Sequence, residues 1–168
     1  QQALIKDHLR AVIDENRQIN LTRIYSFDDG ILLHVEDSLV GLPEILNAPE
    51  GQYADIGTGA GFPGIPLAQA SARSTVLVES VNKKASFLRN TISHLNLENI
   101  TVSSSRVEEL ALHDRNNYAV ITARALTALN SLIELVSPLL SLGGQLIAYK
   151  ADLEKMEIEN AHNIEEKI

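Results

Sequence analysis

A glycine-rich turn directly after a short apolar segment constrains the fold of this chain more than any other feature. The turn lies between Tyr53 and Pro66, in the segment YADIGTGAGFPGIP. Glycines at alternate positions let the backbone adopt positive φ and let a ligand approach it closely, and prolines cost little in the first turn of a following helix. We therefore predict a strand that reverses tightly into a helix, with backbone N–H groups facing a bound carboxylate or phosphate. The glycines concerned are Gly57, Gly59 and Gly61.

From Tyr53 onwards, short apolar segments alternate with helical stretches, which is typical of βαβ units and a mostly parallel sheet. We predict strands at 52–56, 75–79, 100–104, 118–123 and 144–149, and helices at 63–72, 82–95, 106–112 and 126–140. Before them, helical periodicity predicts an amphipathic helix over 3–19 and a second helix that begins after Asp28 and is ended by Gly41 and Pro43. The segment 152–168 is predicted to be a charged helix. We expect one domain over 1–168, with a helical N-terminal extension over 1–50 and a doubly wound α/β core over 51–168.

The composition limits the class of protein. An apolar fraction of 45% is enough to bury an ordinary core, and no apolar run approaches the roughly 20 residues that a membrane span requires. The chain has no cysteine and its histidines lack metal-ligand spacing, so we predict no disulfide, no thiolate nucleophile and no metal site. The net charge of -8 argues against non-specific coating of nucleic acid, but it allows basic residues around one cleft. We expect a cytoplasmic protein without a membrane segment.

An acidic residue, Glu79, follows the turn at the end of the next predicted strand, where Rossmann-like folds place a carboxylate on ribose hydroxyls. Gly59, Gly61 and Gly64 also match the G-x-G-x-x-G pattern of dinucleotide-binding domains. Three features favour a methyl donor over a dinucleotide: the acidic Asp55 before the first glycine, the prolines at the start of the following helix, and the helical segment before the first strand. The alternatives are an NAD(P)-binding oxidoreductase and a catalytically silent nucleotide-binding module. A nucleotide hydrolase is disfavoured, because no Gly-Lys-Ser or Gly-Lys-Thr follows the turn.

Several motifs, taken together and in order, resemble those of one family, RsmG, also called GidB. They are Asn20–Thr22, His34–Leu39, Asp55–Pro66, Glu79–Lys84 with Phe87-Leu88, Arg106–Glu109 and Thr122–Ala125. The resemblance implies a Rossmann-like class I methyltransferase that uses S-adenosyl-L-methionine and releases S-adenosyl-L-homocysteine. Its implied reaction is methylation of N7 of a guanosine in the 530 loop of 16S ribosomal RNA, as RNA or within the small ribosomal subunit, by a monomer.

The chain departs from the family pattern at a few positions. Val107 stands where alanine is usual, Ser105 where glycine is common, and Arg23 where a small residue is frequent. Family members continue past the fifth strand with a final strand pair, which we do not expect within a chain that ends at Ile168.

The resemblance also assigns residues to the donor site. The glycines of the turn are expected to line the methionine part of the donor, Glu79 its ribose, and the backbone at Val107 and Glu108 its adenine. The expected donor-binding residues are Asp55, Gly57, Thr58, Gly59, Gly61, Phe62, Glu79, Val107, Glu108 and Arg124.

Methylation at guanine N7 requires no general base, because N7 has an exposed lone pair and no proton to lose. Most of the rate is then expected from holding N7 in line with the methyl group, an effect of ~7–11 kcal/mol. Arg124 follows the fourth predicted strand and faces the ligand crevice. It is our candidate catalytic residue, positioning the base or a phosphate through its planar guanidinium. The alternative for Arg124 is an ion pair with a carboxylate.

Four residues are candidates for contact with the RNA substrate. His34 and Asp37 lie three positions apart and therefore on one helical face, where they equally suit a structural brace between the N-terminal helices and the sheet. Arg106 and Lys150, with Lys83, extend a basic rim or are solvated surface charges.

Overall fold

The computed structural model describes residues 2–150 and contains one all-parallel sheet. Its strands are β1 Gln52–Ile56, β2 Thr75–Val78, β3 Ile100–Ser103, β4 Tyr118–Arg124 and β5 Leu140–Tyr149. Their spatial order is β3-β2-β1-β4-β5, so the chain builds outward from β1 in one direction and then from β4 in the other. The predicted doubly wound α/β fold is confirmed. The strand order reverses between β1 and β4, and ligands of such sheets bind in the crevice beyond the carboxyl ends at that point.

Helices cover both faces of the sheet. They are α1 Gln2–Ile19, α2 Phe27–Gly30, a π-helix Ile31–Glu36, α3 Asp37–Leu39, α4 Leu42–Asn47, α5 Gly64–Ser71, α6 Asn82–His94, α7 Val107–Leu110 and α8 Leu129–Val136. The α2, π and α3 segments follow one another without a break. Within residues 2–150, no helix is long and apolar enough to cross a bilayer.

Several predicted bounds differ from the observed ones. The helix predicted to be ended by Gly41 and Pro43 ends at Leu39. Pro43 lies in the first turn of a further helix, α4, where its missing N–H has no partner to lose. The helix predicted over 126–140 covers only Leu129–Val136, and β5 begins at Leu140, earlier than the predicted 144. The π-helix was not predicted, since Ile31, Leu32, Val35 and Leu39 recur in the sequence at a spacing that also fits an α-helix. The charged helix predicted over 152–168 lies outside the described residues.

Buried apolar clusters cover both faces of the sheet. On one face, Leu9 and Val12 of α1 and Leu88 of α6 pack with Leu77 of β2. On the other face, α7 and α8 pack against β1 and β4. Leu9 and Val12 have no exposed surface, and complete burial of such a side chain stabilises a fold by about 1.5–3 kcal/mol. The N-terminal helix is thereby fixed to the same face as the helix that follows the glycine turn.

Candidate functional site

The three glycines of the turn all have positive φ, at 68° for Gly57, 60° for Gly59 and 93° for Gly61. Their surroundings differ. A Cβ on Gly61 would lie 2.7 Å from a methyl carbon of Ile65 and 3.0 Å from Nε2 of His8. A Cβ on Gly59 would meet only the Gly57 carbonyl oxygen, at 4.0 Å. Protein packing therefore requires glycine at 61, whereas at 59 the absent side chain leaves open space.

Glu79 joins the turn to the end of β2. Its Oε2 accepts a hydrogen bond from the Gly59 N–H at 3.1 Å, and its Oε1 accepts one from the Val81 N–H at 2.8 Å. A carboxylate has about four acceptor positions, so both oxygens keep a lone pair for a further donor such as a ribose hydroxyl. The side chain is buried apart from 6% of its surface, and its orientation is fixed by these two bonds.

A cavity of about 560 Å³ opens beside Gly59 and Glu79 at the carboxyl ends of the strands. Its volume lies within the range of small-molecule sites. Five of the ten residues predicted to bind the donor line it, together with the substrate candidate Arg106: Gly57, Gly59, Glu79, Val107 and Glu108. The sequence prediction missed several lining residues, among them Ser80, Lys84, Leu126, Thr127 and Ser131. The rule that ligands lie at strand ends would have found Leu126 and Thr127, which lie two and three residues after the end of β4.

Asp55 lies beneath the turn and away from the wall of this cavity. Its Oδ2 accepts a hydrogen bond from the Gly64 N–H at 2.9 Å, and its Oδ1 accepts one from the Thr122 hydroxyl at 2.6 Å. The Tyr53 hydroxyl lies 2.7 Å from Thr122 Oγ1 and must donate to it, because the Thr122 proton is already used. Burial raises the pKa of Asp55 to about 6, against the opposing effect of these hydrogen bonds. The carboxyl therefore ties β1, β4 and the start of α5 together.

Phe62, also predicted at the donor site, is buried between two histidines. Its ring centroid lies 4.5 Å from that of His8 and 4.7 Å from that of His34, and the His34 ring is stacked on it. His8 Nε2 donates to the Ala60 carbonyl at 2.8 Å. Burial lowers the pKa of each histidine to about 4, so both are neutral at physiological pH. Thr58 is likewise buried, and neither it, Phe62 nor Gly61 lines the cavity.

Arg124 lies at the end of β4, next to the turn, and its guanidinium contacts two of the substrate candidates. One guanidinium N–H donates to Asp37 Oδ2 at 2.9 Å and another to His34 Nδ1 at 3.3 Å. The guanidinium carbon lies 5.9 Å from the centroid of the Phe62 ring. The ion pair that was the alternative for Arg124 is thus present, with Asp37. The guanidinium does not line the cavity.

The remaining two candidates lie apart from this group. Arg106 precedes α7, and its backbone N–H donates to the Glu109 carboxylate at 3.2 Å. Lys150 follows β5, and its ammonium donates to the Thr127 carbonyl at 2.9 Å.

A carboxylate that receives the N–H of the middle glycine, at the switch point of a parallel sheet, is the arrangement of a Rossmann-like ligand-binding fold. Solved structures share this fold: a putative S-adenosyl-L-methionine-dependent methyltransferase from Methanococcus maripaludis matches 96% of this chain and 71% of its own, with a TM-score of 0.61 and 16% identity. The chain belongs to the GidB family, rRNA small subunit methyltransferase G, whose model matches residues 1–167.

Curated relatives carry the same family name. A ribosomal RNA small subunit methyltransferase G from Mesoplasma florum is 35% identical over 98% of this chain and 69% of its own length. Another, from Borrelia turicatae, is 41% identical over 80% of this chain and 63% of its own. The chain thus spans about two thirds of the length of the curated relatives that it matches.

Proposed function

We propose that this chain binds S-adenosyl-L-methionine in the cavity beside Gly59 and Glu79, and that the protein transfers the methyl group to N7 of a guanosine in the 530 loop of 16S ribosomal RNA. The observation that carries the donor site is the hydrogen bond between the Gly59 N–H and Glu79 Oε2. It brings the turn and the acidic residue to one cavity, where the open space at Gly59 admits a ligand against the backbone.

The residues of the cavity suit the parts of the donor. Glu79 retains acceptor positions for the ribose hydroxyls, and the turn offers backbone close to the methionine part. Val107 and Glu108, at the start of α7, stand where the adenine is expected. The donor, once bound, would supply a methyl group on a sulfonium sulfur, whose bond to the methyl carbon breaks as a lone pair attacks that carbon and the thioether leaves.

Arg124 is the proposed catalytic residue for holding the guanine. Two of the five guanidinium N–H groups are used within residues 2–150, by His34 and Asp37. The others suit guanine O6 or a phosphate of the RNA, because a guanidinium presents its donors in a rigid plane. No proton leaves N7 during methylation, so the arginine needs only to fix the position of the base.

Basic side chains near the cavity supply the charge that RNA binding needs. Lys84 and Arg106 lie on the cavity wall, and Lys150 follows β5. We propose that these residues offset the net charge of -8 locally. We further propose a cytoplasmic monomer, since the ribosome is assembled there and one chain provides both the cavity and Arg124.

The test uses the full-length protein, methyl-labelled donor, and small ribosomal subunits or 16S RNA that lack the modification. The expected result is label at one guanosine, where strand scission by aniline after borohydride reduction identifies N7 methylation. Label on protein or on a small metabolite would refute the RNA assignment.

Isothermal titration tests the two rival classes. We expect binding of S-adenosyl-L-methionine and S-adenosyl-L-homocysteine but not of NAD. Binding of NAD alone would support an oxidoreductase, and donor binding without transfer to any RNA would support a silent module.

A further inference from the structure

Arg124 is held on one side by a partner that is weakly suited to fix it. The Asp37 side chain keeps 47% of its surface exposed, against 21% for Arg124. Ion pairs exposed to this degree contribute little, because water and salt screen them and both side chains stay mobile. A second partner is needed if the guanidinium is to keep one orientation.

His34 is the better-shielded partner. It has 9% of its surface exposed and stacks on the buried Phe62 ring, with 9° between the ring planes. Its Nδ1 faces Arg124, and its Nε2 lies 2.7 Å from the Thr22 hydroxyl. An arginine can only donate, so Nδ1 must be the acceptor and Nε2 must carry the proton that goes to Thr22.

Thr22 is itself fixed by the chain around it. Its Oγ1 also accepts the Ile24 N–H at 3.2 Å. Asn16, which is 1% exposed, bonds the Thr22 N–H through its carbonyl oxygen at 2.8 Å and the Thr22 carbonyl through its amide at 2.9 Å. A continuous set of hydrogen bonds therefore runs from α1 through Thr22 and His34 to Arg124.

His34 belongs to the π-helix Ile31–Glu36. Wide turns of this kind occur mostly as single insertions in helices and frequently at functional sites. Here the π-helix and the first residue of α3 present both His34 and Asp37 to one guanidinium.

We propose that His34 is a positioning residue that acts through Arg124: the Thr22 hydroxyl accepts the Nε2 proton and holds the ring in place, and the Nδ1 lone pair orients the guanidinium toward the guanine. This inference rests on the proposed function of Arg124. In it, His34 does not touch the RNA, which departs from the prediction that it is a substrate-binding residue.

The first test is a double-mutant cycle in the full-length protein with His34→Phe and Arg124→Ala, followed by single-turnover methyl transfer. Phenylalanine keeps a ring on Phe62 and removes the acceptor. His34→Phe should lower the rate constant about 10- to 100-fold, the effect of one hydrogen bond to a charged group, with the dissociation constant of the donor changed less than about twofold. In the Arg124→Ala background, the same substitution should have no further effect. Multiplicative losses would overturn the proposal.

His8→Phe is the matched control. His8 packs on the other side of the same Phe62 ring and bonds the Ala60 carbonyl. Any loss that it causes should persist in the Arg124→Ala background, because it does not pass through the arginine. If His34→Phe does not fold, Thr22→Val tests the same step, since it removes the acceptor of the Nε2 proton that holds the His34 ring in place. An unchanged rate constant in Thr22→Val would then overturn the proposal.

A second measurement separates this inference from the proposed function. The ¹⁵N chemical shifts of the His34 ring should show a protonated Nε2 and an unprotonated Nδ1, and the Nδ1 signal should move in Arg124→Ala. If the wild-type protein transfers no methyl group, the proposed function fails, but the ¹⁵N measurement still decides whether His34 orients Arg124. A protonated Nδ1, or a signal indifferent to Arg124, would overturn the proposal.

Discussion

Alanine substitutions at two glycines of the same turn should have opposite consequences for binding and for stability. Gly59 and Gly61 both have positive φ, and this conformation costs an alanine about 1–2 kcal/mol. For Gly59→Ala that is the whole cost to folding, because the new Cβ meets no atom nearer than 4.0 Å. At about 2–4 °C per kcal/mol for a chain of this size, the Tm should fall by about 2–8 °C.

Gly61→Ala adds a collision with the core. The new Cβ would lie 2.7 Å from Ile65, 3.0 Å from His8 and 3.1 Å from Leu88, and overpacking of this kind costs about 1–3 kcal/mol. The total of about 2–5 kcal/mol should lower the Tm clearly more than Gly59→Ala does. Donor affinity should follow the opposite order, because only the Gly59 methyl group enters the space that the ligand needs.

Two measurements on the same purified variants check this reasoning. In isothermal titration, Gly59→Ala should bind S-adenosyl-L-homocysteine about 10- to 100-fold more weakly than wild type, or by about 1.4–3 kcal/mol. The folded molecules of Gly61→Ala should lose less affinity than this. Thermal unfolding should rank the variants in reverse. Wild-type affinity in Gly59→Ala would refute the placement of the ligand, and equal stability of the two variants would refute the packing argument.

Three further predictions concern single residues. Glu79→Gln should weaken donor binding by about tenfold in isothermal titration, because an amide nitrogen cannot accept the N–H that one carboxylate oxygen now receives, and unchanged affinity would contradict the ribose role. The pKa of His8 is about 4 in the folded chain against 6.5 normally, so the unfolded chain binds the proton first and stability is lost as pH falls from 6.5 towards 4, by about 3 kcal/mol. Urea unfolding at pH 7 and pH 5 should therefore show a smaller loss of stability in His8→Phe than in wild type. His34, whose pKa is lowered in the same sense, and Asp55, whose raised pKa acts in the opposite sense, contribute to both proteins. Arg124→Lys should keep donor binding but lose most methyl transfer, because an ammonium lacks the planar fork, and a transfer rate equal to wild type would remove Arg124 from the proposed catalytic role.

The sequence predicted the order of the strands and helices well, because that information is local. Apolar periodicity identifies β1 and α6 without knowledge of their neighbours. Details that depend on distant contacts were not predictable. The role of Asp55 depends on Thr122, which joins it only when β1 and β4 pair. The difference between Gly59 and Gly61 depends on side chains of other helices, so the glycine pattern alone treats them as equal.

The candidate site was predictable to a similar extent. The turn and Glu79 were found from their positions at strand ends, and the cavity lies between them. The convergence of His34 and Asp37 on Arg124 could not be read from spacing, since it requires the π-helix and β4 to meet.

The burial of Phe62 between His8 and His34 bears on how this protein can be shortened or recombined. Both histidines belong to the first fifty residues, while the phenylalanine belongs to the glycine turn. Removing the helical extension would therefore expose both faces of a ring that belongs to the glycine turn. The extension thus supports the glycine turn from behind, and exchanging it between relatives would change the packing beneath that turn.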